Sequence, residues 1–132
     1  MTAPADGHGA AEILLHDKES LARAITANLY AELPELMEKH GARGRAKCLE
    51  DMHYNIEHLI PAVDLQQPGM FAQYVRWLDS MLRARGVATR DVRRCLELLR
   101  DETHARYAES DARAIATVID AGLATLSADA GG

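Results

Sequence analysis

The chain has 132 residues, an apolar content of 48% and a formal net charge of −5. These values are typical of one globular domain that buries a core without disulfides or a metal, and the negative charge disfavours nucleic acid as a partner. No apolar run is long enough for a membrane span and no signal peptide is recognisable, so a cytoplasmic protein is expected. The two cysteines, Cys48 and Cys95, match no metal or redox spacing and are expected to be free thiols.

The predicted elements are helices from one end of the domain to the other. Residues 1–11 and 128–132 are small and polar, and they are predicted to be flexible tails of a single domain over residues 12–127. Between the tails, apolar residues recur at helical spacing and strand-like alternation is missing. Glycine and proline divide the domain into helices at about 17–33, 34–41, 45–60 and 70–85, followed by two that begin near residues 89 and 110. We therefore predict an all-α fold, an antiparallel bundle of four to six helices.

The predicted helix at 45–60 carries the densest group of polar side chains. Glu50 and His53 are three residues apart, and His53 and Glu57 are four apart, so all three share one flank of the helix. Di-iron bundles use such a Glu-x-x-His element, but they need two of them, facing inward. Because Glu50 points away from the apolar stripe, no bound metal is predicted. If one were bound, its ligands would be Glu50, His53 and Glu57.

The next predicted helix carries the aromatic residues Tyr74 and Trp77. The short connection before it makes this helix an antiparallel neighbour of the 45–60 helix. We predict a cleft between the two helices that binds a ligand or a partner, with an apolar wall and a few polar groups. Its residues are His53, Glu57, His58, Tyr74 and Trp77. The alternative is a structural role, in which His53 or Glu57 hydrogen-bonds Tyr74 and sets the register of the two helices.

Cys48 lies beside Arg45 and Lys47 on the flank of the predicted helix. Nearby cations lower the pKa of a thiol, which is a property of redox-active cysteines. An inert, half-buried thiol is the more common case, and it is the prediction for Cys48.

Two stretches of the sequence carry a resemblance together. They are RAKCLED at 45–51 with His58-Leu59, and Phe71, Tyr74 and Trp77 with Leu78, Leu82 and Gly86-Val87. These stretches resemble small helical modules of bacterial signalling proteins, including those found ahead of cobalamin-binding domains. The resemblance implies a sensory or regulatory module, with Asp51, His58, Tyr74 and Trp77 as its functional positions. The chain has no Asp-x-His-x-x-Gly loop, so cobalamin binding by this chain alone is not expected.

These features predict a non-enzymatic regulatory or protein-interaction module of bacterial signal transduction that acts through a helix face. The first alternative is a helical sensor that binds a small ligand or a metal on the Glu50–His58 helix, and the second is a di-iron carboxylate enzyme. The predicted partner is another protein, a second copy of the chain included, or a small apolar ligand, and neither nucleic acid nor a membrane. No cofactor is predicted, although the sequence leaves a bound metal or tetrapyrrole open.

Overall fold

A computed structural model describes residues 7–126, so residues 1–6 of the first predicted tail and the whole of the second, 128–132, lie outside the described residues. The described chain forms five helices, which are α1 (His8–Glu32), α2 (Glu35–Asp64), α3 (Pro68–Ala84), α4 (Thr89–Arg106) and α5 (Glu109–Ala124). Over residues 7–126 there is no strand, and the predicted all-α bundle of four to six helices is confirmed. Within the same range, none of the helices combines the length and the apolar character that a membrane span needs.

Helix α1 begins at His8, well before the predicted start at Asp17. Residues 8–11 therefore belong to the folded domain and not to a flexible tail, because two of their alanines are buried in the core. Gly7 precedes the helix with a φ of 84°, and a Cβ there would lie 2.0 Å from the carbonyl oxygen of Val63 in α2. Only glycine fits this close approach of the two helix ends.

Helix α2 unites two helices that the glycine and proline signals predict as separate. Gly41 is its one non-helical residue, with φ 69° and ψ −169°, so the chain bends there. Pro61 does not end the helix, because its carbonyl oxygen still accepts a hydrogen bond from the backbone N–H of Leu65 at 3.0 Å. The segment before the bend turns Leu36 and His40 towards the cavity described below.

Helix α5 is the centre of the bundle and packs against each of the other four helices. Its closest approach is to α3, where a Cβ added at Gly122 would lie 2.8 Å from Val75 Cγ2 and 2.9 Å from Phe71 Cδ2. Helix α1 packs mainly on α2, whereas no α carbon of α2 lies within 8 Å of an α carbon of α4. The gap between α2 and α4 contains the candidate site.

Candidate functional site

A cavity of about 180 Å³ opens between α1, α2 and α4 and borders the end of α3. We call it the thiol cavity. The surface that lines it is mostly apolar, and the side chains with polar or reactive atoms that line it are Tyr30, His40, Lys47, Cys48, Asp51, Asn55, Arg85, Asp91 and Cys95. An apolar cavity with a few convergent polar groups is the usual composition of a small-molecule site.

The two cysteines are the reactive side chains of the thiol cavity. Cys48 of α2 and Cys95 of α4 are both partly buried, and neither forms a disulfide. The neighbouring Cys95 thiol lowers the pKa of the Cys48 thiol, and burial opposes this effect. Cys48 in turn raises the pKa of Cys95 well above its ordinary value, so Cys95 keeps its proton. Because the thiolate is the reactive form, these directions favour Cys48 over Cys95 as a nucleophile.

Asp51 and Arg85 supply opposite charges at the mouth of the thiol cavity. Arg85 Nη1 lies 3.8 Å from Asp51 Oδ2, which is too long for a hydrogen bond. Burial raises the pKa of Asp51, and the nearby Arg85 opposes that shift. Since this pairing is loose, the Asp51 carboxylate can still accept an N–H and the Arg85 guanidinium can still bind an anion.

A wider groove of about 660 Å³ adjoins the thiol cavity on the side of α2 and α3. We call it the aromatic groove, because Tyr54 and Trp77 line it and are 48% and 57% exposed. The cavity and the groove share four lining residues, Lys47, Asp51, Leu78 and Arg85. The two spaces therefore adjoin, and the exposed rings of the groove offer a stacking surface for a flat ligand.

Tyr74 connects α3 to α2 beneath the aromatic groove. Its ring stacks on His58 with the centroids 4.0 Å apart, and it lies 5.9 Å from the ring of Trp77. Its hydroxyl donates a hydrogen bond of 2.6 Å to Oδ1 of the buried Asn55. Burial raises the pKa of Tyr74 far above its ordinary value, so the hydroxyl stays a neutral donor. Three of the five predicted site residues, His58, Tyr74 and Trp77, thus lie together.

The other two predicted site residues, His53 and Glu57, lie apart from this cluster. Glu57 is exposed and pairs with Lys18 of α1 at 3.1 Å, which turns it towards another helix. His53 is half-buried and lines neither the thiol cavity nor the aromatic groove. The hydrogen-bond acceptor of Tyr74 is Asn55 and neither of these two residues. A binding role for the five residues stays a prediction.

The described residues contain no group of three or more histidine, cysteine or carboxylate side chains placed to hold a metal ion. Two of the three ligands named for such a site, Glu50 and Glu57, form ion pairs with Lys47 and Lys18 at 3.5 and 3.1 Å. The third, His53, joins neither pair. Between residues 7 and 126, the di-iron hypothesis therefore has no ligand set.

Three residues of the site, Asn55, Arg85 and Cys95, are not among the predicted site residues. For Asn55 a signal exists, because Cys48, Met52 and Asn55 follow one another at helical spacing on the buried side of α2. A polar residue within an apolar stripe is buried with a partner, which here is Tyr74. No local pattern reveals the other two, because their partners lie on α2, distant in sequence.

Comparison with protein families changes the functional assignment. A family model described as phycobilisome protein matches residues 6–126, whereas no curated protein matches the chain. The resemblance to signalling modules found ahead of cobalamin-binding domains is therefore wrong, because the stretches that carry it are parts of one helical domain of another family. The predicted regulatory module of signal transduction is wrong with it, and neither the sensor nor the di-iron enzyme is supported. By a match that spans nearly its whole length, the chain belongs to the phycobilisome protein family.

Proposed function

We propose that the chain is a light-harvesting subunit that binds a bilin, an open-chain tetrapyrrole, across the thiol cavity and the aromatic groove. The observation that carries the proposal is the Cys48 thiol in a cavity that also presents Asp51 and Arg85. Phycobilisome proteins harvest light, and the family name implies a bilin. A bound bilin supplies the conjugated system that absorbs visible light. The proposal replaces the prediction that the chain takes no cofactor.

The dimensions of the site support a ligand of this kind. Pockets for organic ligands usually measure about 300–1,000 Å³. The thiol cavity, at about 180 Å³, is too small by itself, but the aromatic groove adds about 660 Å³. Because the two spaces adjoin at Asp51 and Arg85, an elongated ligand can have one end beside Cys48 and the other beside Trp77.

The polar groups of the site match the chemistry of a bilin. The Asp51 carboxylate can accept hydrogen bonds from pyrrole N–H groups in surroundings that strengthen them. Arg85 and Lys47 present cations at the junction of the cavity and the groove, where they can pair with the propionate side chains. The rings of Tyr54 and Trp77 offer faces for stacking.

Cys48 can hold the ligand covalently. As a thiolate, its Sγ can add to a carbon–carbon double bond on a side chain of the outer ring, which forms one S–C bond. The neighbouring carbon takes up a proton from water, so the addition is redox-neutral and needs no further reactant. A thiol whose pKa is lowered by a neighbouring donor suits this role, because the thiolate is the nucleophile.

Incubation of the purified chain with phycocyanobilin tests the proposal. We expect visible absorbance in the folded protein and one bilin mass added to the chain in denaturing mass spectrometry. Cys48→Ser is expected to abolish the added mass, because a hydroxyl is far less nucleophilic than a thiolate. Cys95→Ser, a matched substitution in the same cavity, is expected to keep the adduct at the end of the reaction. A wild-type chain without bound colour, or a Cys48→Ser chain with a full adduct, would contradict the proposal.

We further propose that the chain assembles with a second copy of itself, as phycobilisome proteins assemble into oligomers. The supporting observation is two leucines at the surface, Leu15 at 62% and Leu65 at 59% exposure. Sedimentation velocity over a range of concentrations is expected to show a monomer–dimer equilibrium, which Leu15→Glu together with Leu65→Glu shifts to monomer. Thr117→Glu on the exposed side of α5 is the control for added charge. A wild-type chain that stays monomeric throughout would exclude the dimer.

A further inference from the structure

The beginning of α2 is a short segment that the bend at Gly41 sets apart from the rest of the helix. Residues 34–40, which we call the flap, lie between the non-helical residues Leu33 and Gly41. Leu36 is the one buried residue of the flap, whereas residues 34, 35 and 37–39 are exposed. A segment with so few buried apolar contacts opens more readily than the core helices do.

The flap forms one wall of the thiol cavity. Leu36 and His40 line the cavity from the flap, and Val87 lines it from the turn between α3 and α4. Lys39 Nζ donates a hydrogen bond to the carbonyl oxygen of Gly86 in the same turn, at a distance of 3.5 Å. This bond is at the upper limit of hydrogen-bond length, so the contact that joins the flap to the facing turn is weak.

Two glycines determine the position of the flap, each for a different reason. Gly41 has φ 69° and ψ −169°, a backbone conformation that only glycine adopts without strain. At Gly44 the reason is steric, because an added Cβ would lie 2.3 Å from Cβ of His40. A Cβ added at Gly41 would meet no atom within 4 Å, so Gly41 acts through its backbone alone.

We propose that the flap is a gate of the thiol cavity, which swings about Gly41 and admits a ligand to Cys48. Opening removes the burial of one leucine and one long hydrogen bond, and it frees Gly41 to take ordinary helical dihedral angles. The inference deepens the proposed function, and the admission of a bilin rests on that proposal. The gate itself acts on any molecule that enters the cavity, so a thiol reagent can test it without a bilin.

Two maleimides of different size measure access to Cys48, because both react by the same chemistry. The Cys48 thiolate adds to the carbon–carbon double bond, one S–C bond forms, and the neighbouring carbon takes up a proton from water. N-ethylmaleimide is small and fluorescein maleimide is large. The ratio of their rates therefore depends on access and not on the ionisation of the thiol. Peptide mass spectrometry follows the labelling of Cys48 separately from that of Cys95.

Gly44→Ala is expected to raise the rate of fluorescein maleimide relative to N-ethylmaleimide roughly tenfold, because the new methyl group overpacks against His40 in the closed position alone. Gly41→Ala should change the ratio in the same direction, since alanine is strained at a φ of 69°. Gly69→Ala is the matched control. A Cβ at Gly69 also meets open space, but the φ of Gly69 is not positive, so the ratio should equal that of the wild type.

Hydrogen exchange followed by mass spectrometry locates the change. Exchange should be faster in the flap of both variants, with the remainder of α2 as in the wild type. Unchanged ratios of the maleimide rates in both variants would overturn the inference. So would a raised ratio together with faster exchange throughout α2, because the whole helix would then have loosened. Should Gly44→Ala fail to fold, Gly41→Ala keeps the test, since its methyl group contacts no other atom.

The bilin proposal and the gate fail separately. A chain that binds no phycocyanobilin but shows the raised ratio in Gly44→Ala keeps the gate and loses the proposed function. A chain that forms the bilin adduct, but whose ratio is the same in the wild type, Gly41→Ala and Gly44→Ala, keeps the proposed function and loses the gate.

Discussion

Phe71→Ala is expected to lower the free energy of unfolding by about 3–5 kcal/mol. Phe71, on α3, is fully buried. Its ring lies directly against Gly122 of α5, since a Cβ added to that glycine would be 2.9 Å from Phe71 Cδ2. The ring therefore fills the closest contact between α3 and the central helix α5. Truncation to alanine would leave a cavity that the two helices, already in contact through Val75, cannot close by moving together. Denaturant unfolding followed by circular dichroism measures the loss.

Met70→Ala is the matched control, since Met70 precedes Phe71 on the same helix and is 42% exposed. It should change the stability by less than about 0.5 kcal/mol. Gly122→Ala should destabilise the protein for the opposite reason, overpacking, by about 1–3 kcal/mol. When Gly122→Ala is combined with Phe71→Leu, part of the lost stability should be recovered, because the smaller leucine side chain makes room for the new methyl group. A loss under 1 kcal/mol in Phe71→Ala would refute this description of the interface.

The helices that carry large apolar side chains could be predicted from the periodic spacing of apolar residues in the sequence. In α3, Phe71, Tyr74 and Leu78 stand on one face in the sequence, and all three are buried in the structure. The start of α1 could not be predicted in this way, because residues 8–11 contribute only small side chains to the core. Alanine gives almost no hydrophobic signal, although its burial between closely packed helices is common.

The site was less predictable than the fold, because its contacts join residues that are distant in sequence. His53 and Glu57 have the residue types of a binding site, but an ion pair with Lys18 directs Glu57 to α1. The presence of Cys48 and Cys95 in one cavity depends on how far apart α2 and α4 lie, which no pattern within either helix encodes. The cluster of polar residues on α2 was thus predicted from the sequence, whereas the direction in which each side chain points was not.

Tyr74→Phe is expected to cost about 1–3 kcal/mol of stability, the penalty of leaving the buried Asn55 Oδ1 without its donor. The rings of His58 and Trp77 lose nothing, because phenylalanine keeps the ring that they contact. The substitution therefore tests the hydrogen bond between Tyr74 and Asn55 separately from the ring contacts. A double-mutant cycle with Asn55→Ala should show a coupling energy, whereas a cycle with the exposed His58→Ala should show much less.

The pH dependence of stability gives a second test of the same bond. Burial raises the pKa of Tyr74 in the folded state above the ordinary tyrosine value of about 10. The unfolded chain then binds fewer protons than the folded one above that pH, so stability is fully present below it and falls as the pH rises further. Tyr30 and Tyr107 are shifted in the same direction, so the wild type declines through all three. In Tyr74→Phe the decline above pH 10 should be shallower, and an equally steep decline would show that Tyr74 titrates as an ordinary surface tyrosine.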